Sequence, residues 1–295
     1  MSSLNIFPRS YLFVPAHREK FFNKLNALRY DCIIFDLEDA VPLHQKQLAR
    51  DTLSQFIINS NILQQKKVLL RINPVTSKYF IEDIEFACFH HIQNLVIPKV
   101  NSIDDLSSVK SCVVSKSDFD SDLNLYPLIE TPHAIENVFT ISSHSSCHSL
   151  IFGHEDYLDS INASDTPSQA NLIFARSRIV NAARAFHKGA IDSPYLHLHN
   201  QDGCLKYARR SFTFGFDGML VLHPLQLEVV NSAYMPSSCQ FHEASTIIKD
   251  CKESISDGNS VIFKDGVFVA PPILKKARKT VAKYLYFNNS LREND

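Results

Sequence analysis

Short apolar runs in this sequence end, again and again, on residues that could do chemistry. Cys32–Phe35 leads to Asp36, Glu38 and Asp39 in the run FDLEDAV. Val68–Ile72 carries Arg71, Leu95–Ile97 leads to Lys99, and Leu125–Ile129 ends at Glu130. Leu150–Phe152 leads through Gly153 to Asp156, Ala190–Ile191 to Asp192, and Met219–Leu222 to His223. Carboxylates delivered to one place repel each other, more so where the dielectric is low. A bound cation relieves that repulsion. An all-oxygen donor set without a Cys/His pattern favours Mg2+ over zinc. An arginine beside such an ion suits a substrate carboxylate, which it can hold by two hydrogen bonds. Each residue also has a plainer reading. Asp36, Glu38, Asp39 and Asp192 can cap loops, Glu130 can be solvated, and His223 can be a loop or core histidine. Arg71 in an apolar strand needs a partner, and a core ion pair would provide one.

These residues meet only if the apolar runs are neighbouring strands. The runs are nearly continuous in apolar character, as strands covered on both faces are. Helical patterns lie between them, at Glu19–Tyr30, Lys46–Asn59 and Asn171–His187. Strand and helix in alternation give an α/β fold. With Tyr11–Val14 (YLFV) before them, these runs make eight strand candidates, which fit a TIM (β/α)8 barrel, with an open doubly wound sheet as the rival. In a barrel, functional groups sit where strands end, which is where the charged residues stand. Two further helical patterns, Phe241–Ser256 and Pro272–Tyr286, follow the eighth strand. The expected division is a barrel over 1–235 and a helical extension over 236–295, packed on the barrel or on a neighbouring subunit. Ser142–Ser149 reads as a polar loop, and the terminal LREND as frayed.

A chain of 295 residues with a formal charge of −1 is long enough for one large core and lacks the basic surface of a nucleic-acid binder. Its first residues do not read as a signal peptide, and no apolar run is long enough to span a bilayer. The seven cysteines are odd in number, scattered and without a CxxC pair, so a reduced, cytoplasmic protein is expected, with neither disulfide framework nor thiolate zinc.

The ordered motifs resemble the HpcH/HpaI aldolase and citrate lyase β-subunit family, especially its CitE-like branch. Arg9–Pro15 (RSYLFVP) is similar to the family's RSxLFVP. Phe35–Val41 with Lys46 and Ala49-Arg50 is similar to DLEDAV…K…AR. Arg71–Pro74, Pro98–Val100, Ile129–Thr131, Gly153–Asp156, Ala183–Ala185, Ala190–Asp192 and Gly215–Gln226 follow in the family order. The resemblance implies a TIM barrel with a C-terminal extension, assembled as a homotrimer or a multiple of one. It implies Mg2+, with Mn2+ as a substitute, bound by Glu130 and Asp156. Arg71 would hold the substrate carboxylate, with Glu130 also against the substrate, while Glu38 and Asp39 would hold metal-bound water or orient the site. The implied reaction makes or breaks a carbon–carbon bond in a carboxylated 3-hydroxyacyl thioester such as citryl-, malyl- or citramalyl-CoA. An acyl-carrier-protein thioester and a free hydroxy acid are alternative substrates, and a non-catalytic barrel that binds metal and ligand is the alternative function. The main departure is Ala270, in Gly266–Pro272 (GVFVAPP), where the family carries an aspartate that enters a neighbouring subunit's site. Alanine cannot transfer a proton. Ala16, Ala134, Met219 and the pair His154-Glu155 also depart from the family pattern.

Overall fold

The computed structural model describes residues 5–65, 67–116, 123–164, 166, 169–256, 263–264, 267–268 and 271–292. Eight parallel strands close into a barrel in sequence order. They are β1 Ser10–Pro15, β2 Cys32–Asp36, β3 Lys67–Arg71, β4 Asn94–Ile97, β5 Asn124–Ile129, β6 Ser149–Phe152, β7 Gly189–Asp192 and β8 Gly218–Val221. The first strand pairs with both β2 and β8, so no open edge remains. The eight apolar runs are these strands, and the open-sheet rival is excluded.

Side chains alternate between barrel interior and barrel wall, because a strand has period two. Tyr11, Cys32, Ile34, Leu69, Val96, Tyr126, Leu128, Ile151, Ile191 and Leu220 form one buried cluster. Counting two residues on from Ile34, Leu69 and Leu128 reaches Asp36, Arg71 and Glu130. All three therefore share the inward face at the C-terminal ends of their strands. Asp192 follows Ile191 by one residue and takes the opposite face.

The helices Lys46–Ile58, Phe80–Phe89, Ile103–Val114, Pro132–Ser142, Ile173–Ala185 and Gln201–Phe214 cover the wall. Ala49, Leu53 and Ile57 are buried at helical spacing, and Lys46 and Arg50 of the same helix are turned inward with them. Local sequence sets several starts and stops. Ser102 and Asp105 form a capping box, and Thr131 caps a helix with Pro132 in its first turn. Gly215 ends another at φ +104, a left-handed conformation that needs no side chain. The Glu19–Tyr30 pattern yields less helix than expected. A single turn at Glu19–Phe22 gives way to a 3-10 turn at Leu25–Ala27. The buried pair Phe22 and Leu25 is three residues apart, a spacing that a tighter turn also satisfies.

The chain separates into two compact units, Pro8–Asn231 and a second made of Met1–Phe7 with Ser232–Asp295. The second unit contains the helices Ser238–Ser256 and Pro271–Arg292 and a short antiparallel pair, Phe263–Lys264 with Val267–Phe268. Phe241 stacks on Tyr284, with ring centroids 4.4 Å apart. The Pro271–Arg292 helix runs beyond the expected Tyr286, into the LREND segment. Ala270 lies outside the described residues.

Candidate active site

The floor of the barrel mouth is an ion pair. Asp36 receives two hydrogen bonds from Arg71, Nε to Oδ1 at 2.7 Å and Nη2 to Oδ2 at 2.6 Å. Strand register explains the match, since Asp36 and Arg71 are Cα partners across β2 and β3. The guanidinium also lies over the Phe13 ring, 4.8 Å from its centroid. Its remaining nitrogen, Nη1, is 3.1 Å from Glu38 Oε2 and 3.7 Å from Asp39 Oδ2. Burial opposes the charge of Arg71, but the surrounding carboxylates, Asp36 foremost, more than restore it. Glu38 fares differently. Burial, with Asp39 and Asp36 adding to it against Arg71, pushes its carboxyl up to about 7. The approach of Oε2 to Arg71 lacks hydrogen-bond alignment, and among the described residues that buried oxygen has no hydrogen-bond partner.

The second half of the mouth comes from β5 and β6. Glu130 is 2% exposed, and its Oε1 accepts a 2.6 Å hydrogen bond from the backbone N–H of Lys99. Lys99 adopts φ +55, a left-handed conformation unusual for a residue with a side chain. The contribution of Lys99 is thus its backbone, while its side chain is exposed. Gly153 passes so close to Glu130 that an added Cβ would lie 2.8 Å from both Cβ and Oε2 of the glutamate. Burial, and then Asp156 and Glu38, push the Glu130 carboxyl up to about 8 against the Lys99 hydrogen bond. The Glu130 and Asp156 carboxyls lie close enough for each to act on the other's charge. Two carboxyls this close favour a proton or a cation between them. The donors are all oxygens, which fits a hard divalent ion. Among the described residues no three or more His, Cys, Asp or Glu side chains gather as a complete cage. Two protein carboxylates nevertheless suit Mg2+, which keeps several waters and takes substrate oxygens.

The structure therefore brings Asp36, Glu38, Asp39, Arg71, Glu130 and Asp156 into one region. Asp192 falls elsewhere, and His223 is engaged in a local cap. Asp192 is fully buried behind the wall, where Arg176 Nε approaches Oδ2 at 3.2 Å. Its place on the strand explains this, one residue after an inward-facing isoleucine. His223 caps the short turn Pro224–Gln226, accepting from the Leu225 N–H at 3.2 Å.

Sequence reasoning placed Lys46, Arg50 and Asn73 in family-like motifs without giving them a role and missed Asp83; together these groups hold the β2 loop. Lys46 Nζ donates to the carbonyls of Leu37 and Glu38, each at 2.7 Å. Asn73 Nδ2 donates to the Leu37 carbonyl at 3.1 Å and to Asp83 Oδ2 at 2.6 Å. Asp83 also accepts from the Asn73 N–H and from Arg50 Nη1, both at 2.8 Å. A signal was available, since Lys46 and Arg50 stand four apart on the helix whose apolar positions face the wall.

Residues 9–224 match the family of HpcH/HpaI aldolases and citrate lyase. The chain belongs to that family. The mitochondrial citramalyl-CoA lyase of Homo sapiens is 28% identical over 287 residues, covering 92% of this chain and 84% of that protein. A (3S)-malyl-CoA thioesterase of Cereibacter sphaeroides is 28% identical over 275 residues, covering 93% and 94%. In a solved structure, the protein CitE of Mycobacterium tuberculosis is in complex with magnesium, acetoacetate and coenzyme A. It is 25% identical and superposes with a TM-score of 0.78 over 94% of this chain and 97% of that one.

Proposed function

We propose that this family member is a Mg2+-dependent carbon–carbon lyase that cleaves or forms a carboxylated 3-hydroxyacyl thioester of coenzyme A, such as citramalyl-, malyl- or citryl-CoA. The observation that carries this reading is the closeness of Glu130 to Asp156 at the strand ends, beside Arg71 and Glu38. Relatives named as acting on acyl-CoA esters support the thioester, and the magnesium and coenzyme A bound to the mycobacterial relative support the cofactor and carrier.

In this reading Glu130 and Asp156 hold the cation, with Mn2+ able to replace Mg2+. Once bound, the ion supplies Lewis-acid stabilisation of charge on the hydroxyl and carboxylate oxygens of the substrate. Arg71 Nη1, the nitrogen outside the Asp36 fork, is the group that can turn to a substrate carboxylate. Asp36 keeps the guanidinium plane fixed while Nη1 does so. Glu38 and Asp39 face the same nitrogen and orient it until a substrate takes their place. Cleavage breaks the bond between C2 and C3 as the C3 hydroxyl gives up its proton. The products are a 2-oxo acid and a thioester enolate, which takes a proton at C2.

The unit containing residues 236–295 serves as a lid on its own barrel or a neighbour's, in a homotrimer or a multiple of one. In this reading the protein works in the cytoplasm, a placement that rests on seven scattered cysteines without a CxxC pair. Among the described residues no helix is long and apolar enough to cross a membrane. Ala270 favours a second reading, a barrel that binds metal and ligand without turnover. One assay separates the two. The protein is incubated with Mg2+ and the citramalyl, malyl and citryl thioesters, and with the corresponding free acids. Pyruvate, glyoxylate or oxaloacetate is then measured. Release of the matching oxo acid from a thioester supports the lyase. Thermal stabilisation by a thioester with no oxo acid from any of them refutes it in favour of the binding barrel.

A further inference from the structure

We propose that the Ser193 hydroxyl is a positioning group that sets the Glu130–Asp156 pair for a divalent cation. The inference rests on the metal site proposed above. Ser193 follows the last residue of β7 and is fully buried. Its Oγ donates to the Phe152 carbonyl at 2.7 Å and accepts from the His154 N–H at 2.9 Å. Those two groups flank Gly153. One hydroxyl therefore clamps the peptide on both sides of the residue against which Glu130 lies.

The same clamp starts the helix that carries Asp156. His154–Ser160 is only seven residues long, and Gly153 at its N-cap has no side chain to accept from the first N–H groups. Ser193, reaching from the next strand, accepts from the first of them, the buried His154 N–H, at one of the helix positions that has no intrahelical acceptor. Asp156 sits in this first turn. Any slip of the turn moves Asp156 relative to Glu130.

Ser193 is itself held. Its N–H donates to Asp192 Oδ1 at 2.9 Å, and Asp192 is gripped by Arg176, with Nε 3.3 Å from the same oxygen. Arg176 is fixed in turn by Gln169 at 2.8 Å and the Tyr207 hydroxyl at 2.7 Å. Asp192, which does not face the mouth, thus acts on it through its neighbour. Phe152, His154 and Gly153 need a group that can donate and accept at once from a fixed point, and a hydroxyl is the smallest side chain that can.

The test uses Mn2+ as the probe, with free Mn2+ read from its EPR signal during titration of the full-length protein. Ser193→Ala is compared with wild type and with Ser142→Ala. Ser142 is equally buried and donates to the Ala182 carbonyl at 3.1 Å, away from the mouth. Ser193→Ala is expected to raise the Mn2+ dissociation constant by about tenfold or more, as loss of supporting groups around a metal commonly does. Ser142→Ala should lower the melting temperature yet bind Mn2+ as wild type does. Ser193→Cys fills the site with a bulkier sulfur that hydrogen-bonds only weakly, and it gives the same readout if the alanine variant does not fold. The inference is overturned if Ser193→Ala or Ser193→Cys binds Mn2+ as tightly as wild type. It is equally overturned if Ser142→Ala weakens binding as much. A wild-type protein that binds no Mn2+ overturns the metal site itself, and with it this inference.

Discussion

Replacing Asp83 by asparagine should destabilise the barrel far more than loss of an ordinary ion pair. Asp83 is completely buried and accepts three hydrogen bonds, from Arg50 Nη1 and the Asn73 N–H at 2.8 Å and from Asn73 Nδ2 at 2.6 Å. Asparagine keeps the shape but offers one acceptor oxygen, and it turns an NH2 group toward other donors. Arg50 would then lose its charged partner, with Gln47 at 2.8 Å left as a neutral acceptor. Breaking a buried pair by removing one charge costs about 3–5 kcal/mol. An exposed pair costs about 0.2–1 kcal/mol. Burial decides between the two ranges, because the Arg50 side chain is 8% exposed and that of Asp83 is 0% exposed. Urea denaturation of Asp83→Asn, Arg50→Gln and the double variant would measure the cost and the coupling. The expected loss for Asp83→Asn is about 3 kcal/mol, with a coupling above ~1 kcal/mol because the residues touch. A loss below ~1 kcal/mol, or additive single variants, would refute the reasoning. The cost matters for the site because the Leu37 carbonyl shares Asn73 Nδ2 with Asp83. Loosening Asn73 releases one of the ties that hold the loop bearing Glu38.

Three other outcomes are expected. Glu130→Gln should abolish Mg2+ and Mn2+ binding. In the wild type, affinity should climb with pH and level off above about 8, because the metal-free Glu130 carboxyl, pushed up to about 8, must lose its proton before it can ligate. Calorimetry in buffers of different ionisation enthalpy would show that proton release, and a pH-independent affinity would count against it. Gly153→Ala should weaken metal binding and cost about 1–3 kcal/mol of stability, because its Cβ would fall 2.8 Å from Glu130; unchanged Mn2+ affinity would contradict the packing. His148 supplies part of the acid sensitivity. Burial first, then Lys67 and Lys188, push its imidazole down to about 3 from the usual 6.5. The unfolded chain therefore takes up the proton first as pH falls. Stability is fully present above about 6.5 and is lost toward pH 3 by up to about 1.4 kcal/mol per pH unit. His148→Gln should flatten that acid limb in denaturation curves, and an unaltered limb would assign it to other groups.

What could be read from sequence follows the range of the forces involved. The strands were legible because burial on both faces writes a continuous apolar run into the chain, and each of the eight runs became a strand. Glu130 and Arg71 were legible because they interrupt such runs at the end where barrels place chemistry. Asp192 satisfied the same rule and was misplaced by a single residue of strand parity. A two-state alternation cannot be phased from a four-residue strand such as GAID, in which all four residues are buried and the single polar residue, Asp192, is the one whose side is in question. Neighbouring inward residues on β6 and β8 supply the phase, and they are joined to β7 only by pairing across the sheet. The braces were harder still. Asp83 lies 33 residues from Arg50 and Ser193 lies 39 from His154. Hydrogen bonds are short-ranged and directional, so they leave no periodicity to detect. Ser193 shows this most clearly, because a serine after a strand is an ordinary loop residue in sequence. Only the closed barrel, which sets β7 beside β6, brings its hydroxyl to the two peptide groups on either side of Gly153.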